Sequence, residues 1–362
     1  MSSSLGTLFR ITSFGESHGP CIGVVVDGCP AGLSLEPDVV ERDLERRRAA
    51  DQPGATPRRE PDVMRFLSGV YEGHTTGAPI GMVIDNVTTD SSAYAEFVRT
   101  PRPGHADYPA SVKYGGLNDP RGGGRFSGRI TAGLVMAGAV ARTVLRRAGV
   151  EVDAHTVAIG GVQAPPCDAE LVRERRQRNS LSCCDDVSAL LMAEAIESAR
   201  ARGDSVGGIV ECVARGLPPG IGEPVFAGIE GEIARAVLAI PAVKGIEFGA
   251  GFDLCDMPGS VANDPFGIDG VRIVTEKNDS GGALGGLSTG MPLVLRVAFK
   301  PTPSIAVEQR TVDLATGAEA RLTIRGRHDA CIVPRAVVVV EAMVLCALCD
   351  LGLQSGFIPR VM

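Results

Sequence analysis

The chain has 362 residues, 44% of them hydrophobic, and its 36 Lys+Arg against 43 Asp+Glu give a formal net charge of −7. This is ordinary globular composition, and the acidic balance argues against a general nucleic-acid or membrane-surface binder. Ten cysteines are too sparse for a disulfide scaffold, and no basic-then-apolar leader opens the sequence, so reduced thiols and a cytoplasmic location are expected.

In chain order, "TSFGESHGP" (Thr12 to Pro20) sets three polar residues between two glycines, which suits a tight loop carrying His18. "CIGVVVDG" and, later, "PIGMVIDN" are short apolar runs with the length and punctuation of buried strands. "EPDVVERDLERRR" predicts a helix starting near Pro37, with acids early and arginines late, as the helix dipole prefers. "AADQPGATPRREPD" then breaks it with prolines and glycine into a long loop. "RGGGRFSGRITAGLVMAGAVARTVLRRAG" predicts a glycine-arginine loop feeding a helix that stops at Gly149, with Ile130, Leu134, Ala137, Ala141 and Val144 on one face.

Cys183-Cys184 reads as a polar surface loop, and "DVSALLMAEAIESARARG" as a helix closed by Gly203. "GGIVECVARG" and "PLVLRVAFKP" predict strands; "GIEGEIARAVLAIPAVKG" predicts a helix interrupted by Pro241. The last predicted element is a long buried helix entered at Pro334, whose apolar run is broken by Glu341 and Asp350. No uninterrupted apolar run reaches the ~20 residues of a membrane helix. Cys346 and Cys349 form a lone C-x-x-C inside that helix and read as core cysteines, not as a metal site. Without a linker or repeat, the whole chain, 1–362, reads as a single compact α+β domain.

The chemistry concentrates in loops where glycines flank arginines: "RGGGRFSGR", "RPGHADY" and "RGRHDACIVPR", together with the Arg46-Arg47-Arg48 triplet and Arg58-Arg59. Guanidinium groups recognise carboxylate and phosphate in a bidentate way, and neighbouring glycines let backbone N–H groups approach the same anion. An acidic protein that gathers arginines in this way is expected to bind a small polyanion. The dinucleotide fingerprint is not met, and no G-x-x-x-x-G-K-[ST] phosphate loop occurs. Of the five histidines, His18, His105 and His328 lie in the glycine/arginine loops, whereas His74 and His155 have less suggestive neighbours. Histidine titrates near neutrality and suits proton donation to a leaving phosphate; Asp329 adds a carboxylate that can act as a base. These residues point to an enzyme acting on a small, multiply charged ester or carboxylate, without specifying the reaction.

The set "FGESHG", "RPGHADY", "DPRGGGRFSGRITAG", "GDSVGG", "GLPPGIGEPVF", "AVKGIEFGAGF", "GGLSTGMPL", "FKPTPSI" and "GRHDACIVPRAVVVVEAM" resembles the chorismate synthase family, block by block and in order, from about Leu5 to Leu351. The resemblance implies an α+β sandwich of antiparallel β-sheets with flanking helices and a homotetramer. It implies a lyase that converts 5-enolpyruvylshikimate 3-phosphate to chorismate and phosphate, requiring reduced FMN without net redox change. An external flavin reductase or an NADPH-dependent source would then supply the reduced flavin.

Position by position, the resemblance gives His18 to the reduced flavin, His105 to the departing phosphate and Asp329 to the ring proton. It assigns substrate contacts to Ser17, Arg47, Arg48, Arg102, Arg129 and Arg327. Flavin contacts fall to Arg125, Phe126, Ser127, Pro241, Ala242, Gly285, Lys300, Pro301, Thr302, Pro303 and Ser304, with Arg327 serving both ligands. The sequence departs from the family in "AADQPGATP", where Pro53 stands near a commonly basic position, and in Phe126, which replaces a frequent hydroxyl.

Overall fold

The computed structural model describes residues 3–48, 61–87, 91–324 and 329–362. Its helices are α1 (Pro37–Arg48), α2 (Asp107–Tyr114), α3 (Thr131–Arg147), α4 (Val172–Arg175), α5 (Asp186–Ala201), α6 (Ile229–Val237), α7 (Gly259–Ala262) and α8 (Val333–Gln354). Two five-stranded antiparallel sheets carry most of the strand residues. The first runs, in spatial order, Ser4–Leu5, Arg10–Gly15, Cys21–Asp27, Ile80–Asp85 and Met64–Ser68; Val24 faces Met82 across its centre. The second runs Val243–Phe248, Leu293–Phe299, Gly208–Arg215, Glu151–Ile159 and Val162–Gln163, with Cys212 set between Leu295 and Ala154.

Period-two burial shows which face each sheet turns inward. Leu293, Leu295, Val297 and Phe299 are buried while the residues between them are half-exposed. Helices α3 and α8 form the layer between the sheets, α3 against Cys21–Asp27 and α8 against Glu151–Ile159 and Gly208–Arg215. Their contact is very close: a Cβ on Gly138 would fall 2.4 Å from the Ala342 Cα. The small residues of α3 are therefore a packing requirement. Helix α8 is long and apolar enough to cross a membrane, but all of Val333–Leu353 except Arg335 is buried inside the protein. Cys346 and Cys349 lie in this core, and burial pushes both thiols well above their usual range.

The two acids on α8 have different duties. Asp350 accepts backbone N–H bonds from Thr7, Leu8 and Phe9, the Leu8 and Phe9 bonds at 2.6 and 2.8 Å, and ties the chain start to the end of the core helix. Glu341 is fully buried among arginines.

The predicted boundaries of α1, α3, α5 and α8 match the structure. The helix expected to be interrupted at Pro241 does not: α6 already ends at Val237, and Val243–Phe248, beyond the proline, is a strand, with Ile246 opposite Val297. The cross-strand pairing outweighs the helical pattern of the preceding alanines. Cys183 is not on a surface loop; it is fully buried, and its N–H donates to Asn179 Oδ1 at 3.1 Å. The long loop with Pro53, Arg58 and Arg59 lies outside the described residues.

Candidate active site

The His18 loop joins two neighbouring strands of the first sheet. Arg10–Gly15 ends on a glycine at φ +95°, the chain turns with Gly19 N–H on the Glu16 carbonyl, and the next strand starts at Cys21. Asn86 locks the turn, its Nδ2 donating to the carbonyls of Glu16 (3.0 Å) and Gly19 (2.8 Å). Ser17 and His18 are both buried. Ser91 Oγ holds His18 Nδ1 at 2.9 Å, and the Tyr94 ring meets the imidazole edge-on, with centroids 5.2 Å apart.

The triple glycine closes over this loop. Gly122, Gly123 and Gly124 have φ of 61°, 81° and 52°, all in the region that favours glycine. A Cβ on Gly122 would lie 2.5 Å from His18 Cδ2 and 2.7 Å from Ser17 Oγ. One on Gly123 would lie 3.4 Å from His105 Cε1 and Nε2. A single glycine loop therefore touches both histidines, and the Gly124 carbonyl accepts the Ser17 N–H at 3.2 Å.

His105 belongs to a compact charged group. Its Nδ1 bonds Asp107 Oδ1 at 2.6 Å, and Arg102 meets the same carboxylate through Nε (2.7 Å) and Nη2 (2.8 Å). Burial would raise the Asp107 carboxyl, but the hydrogen bonds from Arg102 and His105 outweigh it and hold the group well below the usual carboxylate range. Arg102 also donates to Ser304 Oγ at 3.2 Å and stacks over Phe97, 4.6 Å from its centroid. Its charge is thus spent largely on positioning.

Beside this group, Asp62 bridges two buried arginines. Arg47 Nη1 lies 3.2 Å from Asp62 Oδ2, and Arg129 Nη1 bonds Asp62 Oδ1. Arg129 Nε is held by Asn86 Oδ1 (3.1 Å), Arg47 Nε by Thr131 Oγ1 (3.0 Å). Arg335 donates to the Arg47 carbonyl (3.1 Å) and pairs with Asp329 (2.9 Å). Burial first, and the charge of Arg335 second, draw the Arg47 guanidinium down to about 9. Among the described residues, three arginines against two carboxylates leave this cluster one positive charge in excess, which an anion would relieve. Arg48 turns away, donating to the Pro61 carbonyl at 2.5 Å.

The "KPTPS" segment adjoins His105. Lys300 Nζ bonds the Gly104 carbonyl, Lys300 N–H donates to the Ala242 carbonyl at 3.0 Å, and Pro303 packs close to Gly104. Desolvation and the neighbouring Lys244 lower the Lys300 ammonium. The Thr302 hydroxyl is buried without a hydrogen-bond partner among the described residues. Ala242 sits at φ +72° after Pro241, in the turn before its strand. Arg125 reaches Ser3 (3.0 Å), Phe126 tilts on Tyr114 at 6.4 Å, and Ser127 caps the Arg129 N–H. Gly285 lies in the Ala283–Ser288 hairpin, with open space where a Cβ would be.

Of the sequence-derived site residues, Ser17, His18, Arg102, His105, Arg129 and Ser304 converge through these contacts, and Arg47 joins through Asp62. Arg327 and His328 lie outside the described residues. The sequence reading did not select Asp62, Asn86, Asp107 or Arg335. Asp107 and Arg335 stood inside motifs that were singled out, whereas Asp62 and Asn86 carried no local signal. His155, buried on Glu211 (3.0 Å), and His74, on the Glu72 carbonyl (2.9 Å), serve elsewhere.

Fold and site together define a two-sheet sandwich enzyme in which His18, His105 and Arg102 meet one glycine loop. The family model for chorismate synthase matches residues 9–353. Chorismate synthases of Dehalococcoides mccartyi (53% identity, 100% of this chain and 99% of the relative) and Korarchaeum cryptofilum (52%, 97% of each) align over nearly their full lengths. The relative from Thermococcus kodakarensis is 50% identical over 95% of this chain and 96% of its own. A crystal structure of chorismate synthase superposes with a TM-score of 0.75 at 28% identity, covering 97% of this chain and 93% of that one. The chain belongs to the chorismate synthase family and is an enzyme of that type, acting at the last step of the shikimate pathway.

Proposed function

We propose that the chain converts 5-enolpyruvylshikimate 3-phosphate to chorismate and phosphate by 1,4-elimination, with reduced FMN required and no net redox change. The observation that carries this reading is the glycine loop Gly122–Gly124, which abuts Ser17 and His18 on one side and His105 on the other. The substrate bears a phosphate and two carboxylates, and the cluster of Arg47, Arg129 and Arg335 has the excess charge such an anion needs. Ser17, Arg102 and Arg327 complete the proposed substrate contacts; Arg48, which the sequence also pointed to, would have to swing in from the Pro61 carbonyl to join them.

The residues given to the flavin fit a phosphate-bearing group: a buried hydroxyl at Thr302 awaits a partner, and the Lys300 ammonium is partly desolvated beside it in sequence. Lys300 to Ser304, Pro241, Ala242, Gly285 and Arg125 to Ser127 would hold FMN, with Arg327 shared. When bound there, the reduced flavin would supply electron density to the allylic system. His105, oriented by Asp107 at Nδ1, gives the Nε2 proton to the departing phosphate. His18, fixed through Nδ1 by Ser91, holds a proton at Nε2 for the reduced cofactor. Asp329, oriented by Arg335, receives the ring proton.

A flavin reductase or an NADPH-dependent source would keep the flavin reduced, and a cytoplasmic homotetramer is the proposed working form. Support for subunit contacts comes from the Phe266–Thr275 hairpin, which exposes Phe266, Ile268, Val271 and Ile273 together. Anaerobic incubation of the chain with substrate and chemically reduced FMN tests the reaction. Chorismate and phosphate formed in equal amounts, with flavin unconsumed, support it; no product contradicts it. Omitting the reductant and adding NADPH with oxidised FMN shows whether the chain reduces its own flavin.

A further inference from the structure

Helix α1 serves two different places. Arg47 turns toward the cleft, whereas Arg42 and Arg46, one helical turn apart, face the opposite way. There they border a cavity of about 470 Å³ between α1, α3, α4 and the first turns of α8. Arg42, Arg46, Arg142, Arg146, Arg173 and Arg176 all line it, and no residue assigned to the cleft does.

Most of this charge is already matched. Glu341 accepts from Arg46 (2.7 and 2.8 Å), Arg142 (2.7 Å) and Arg176. Asp43 takes Arg46 (3.1 Å) and Arg142 (3.0 Å). Asp153 takes Arg173 and Arg176 (3.0 Å each) and Arg215 (2.8 Å). Glu151 and Glu170 complete the set on Arg173 and Arg215. Five guanidinium groups thus meet five carboxylates in a neutral network, of which Arg46, Arg142, Arg173, Arg176 and Asp43 reach the cavity wall.

Arg42 and Arg146 are left over. Arg42 Nε bonds the Asp38 backbone carbonyl at 3.2 Å, which neutralises nothing. Arg146 is not within ion-pair distance of a carboxylate among the described residues, and Glu151 and Asp153, both engaged by Arg173 and Arg215, act on it only from further off. Partial desolvation first, and the guanidinium groups of Arg142 and Arg173 second, lower its hold on its proton. The rim is therefore two positive charges in excess over a rigid, hydrogen-bonded base, with Gln177 and Ser180 adding neutral polar groups to the wall. Such a site is preorganised for an oxyanion, since the floor is fixed before any ligand arrives.

We propose that this cavity is a second anion site, which binds a small dianion, a phosphate or a dicarboxylate, between Arg42 and Arg146. The ligand's oxygens take the free guanidinium N–H groups of the rim, and its two charges cancel the rim's excess.

The test is binding to the full chain and to R42A/R146A, measured by equilibrium dialysis with labelled inorganic phosphate and by calorimetry with succinate. Both arginines are exposed at the rim, so their removal strands no buried carboxylate. The wild type is expected to show a cleft site and a second site. In R42A/R146A the second site weakens by about tenfold or more, as loss of charged hydrogen bonds implies, while turnover stays at the wild-type level. R42K/R146K recovers part of the affinity. The probe that binds more tightly tells phosphate from carboxylate. Equal stoichiometry and affinity in both chains for both probes would overturn the proposal. So would a lower assembly mass for R42A/R146A by light scattering with unchanged anion binding, since the arginines would then serve a contact between copies.

Discussion

His105 Nδ1 and Asp107 Oδ1 are 2.6 Å apart, and Arg102 grips the same carboxylate at 2.7 and 2.8 Å. The histidine thus has Nδ1 committed to orientation, while Nε2 faces the glycine loop with Arg102 Nη2 3.3 Å away. Asp107 is the residue that makes this possible: it shares a small pocket with His105 and Gly123 and acts by fixing the ring, so it is a positioning residue.

Asp107→Asn should therefore lower turnover by roughly 10²-fold with a much smaller change in KM, because a general acid is left unoriented while the substrate arginines remain. Steady-state kinetics separates the two parameters. The pH dependence has a definite sign. The folded-state pKa of Asp107 is depressed, so its stabilising contribution is full above the unfolded value of about 4 and is lost as pH falls below it. The wild-type His105–Asp107 tie accordingly persists through assays at pH 5, and an acid limb near pH 6 belongs to another group.

Gly122→Ala is expected to impair the site from its roof. The residue's φ is +61°, and the new Cβ would overlap His18 and Ser17, which are held by Ser91 and by the Gly124 carbonyl. Thermal unfolding should show a loss of about 1–3 kcal/mol, with turnover falling by more than stability alone explains. Wild-type kinetics in this variant would mean that the loop relaxes freely.

Glu341→Gln tests the buried ion network. Removing this charge leaves Arg46 and Arg142 to share Asp43 and leaves Arg176 on Asp153, one negative charge short, and breaking such a buried set costs about 3–5 kcal/mol, readable by calorimetry. Although burial opposes ionisation, the three arginines hold the Glu341 carboxyl well below its usual range. Its contribution is present above the ordinary glutamate range and disappears as pH falls through the folded-state value, so acid unfolding should begin at higher pH in the variant.

Thr302→Val separates holding a ligand from holding the fold. The hydroxyl is buried without a partner among the described residues, so the free protein should be no less stable after the change. FMN affinity should drop by roughly tenfold if Oγ1 bonds the cofactor, as a lost charged hydrogen bond implies. Flavin emission reads this cleanly, since the chain has no tryptophan. Unchanged affinity would remove Thr302 from the flavin contacts.

The legible parts of the sequence were those with local causes. Pro37 and the arginine-ended α1, the small-residue stripe of α3 and the Pro334 entry to α8 each follow from nearby residues. The histidine and arginine loops were visible because their composition is unusual. What escaped depended on distant partners. Ile246 becomes a strand residue by pairing with Val297, and Asp62 becomes a bridge only when α1 and the loop after Gly128 meet. Arg46 and Arg47 are adjacent in sequence, yet the helix sends them to different chemistry: the triplet that reads as one anion cluster is divided between a cleft, a buried carboxylate and solvent. Glu341 looks like a break in an apolar run, and its four N–H donors besides the backbone of Ala154 come from arginines remote in sequence.

The most direct measurement is anaerobic turnover of 5-enolpyruvylshikimate 3-phosphate with chemically reduced FMN, run side by side on the wild type, His18→Ala and His105→Ala. The account predicts equimolar chorismate and phosphate from the wild type, with the flavin still reduced at the end. Each variant should keep the fold and turn over about 10²-fold more slowly or worse. Near-wild-type rates in both variants, or no chorismate from the folded wild type, would contradict it.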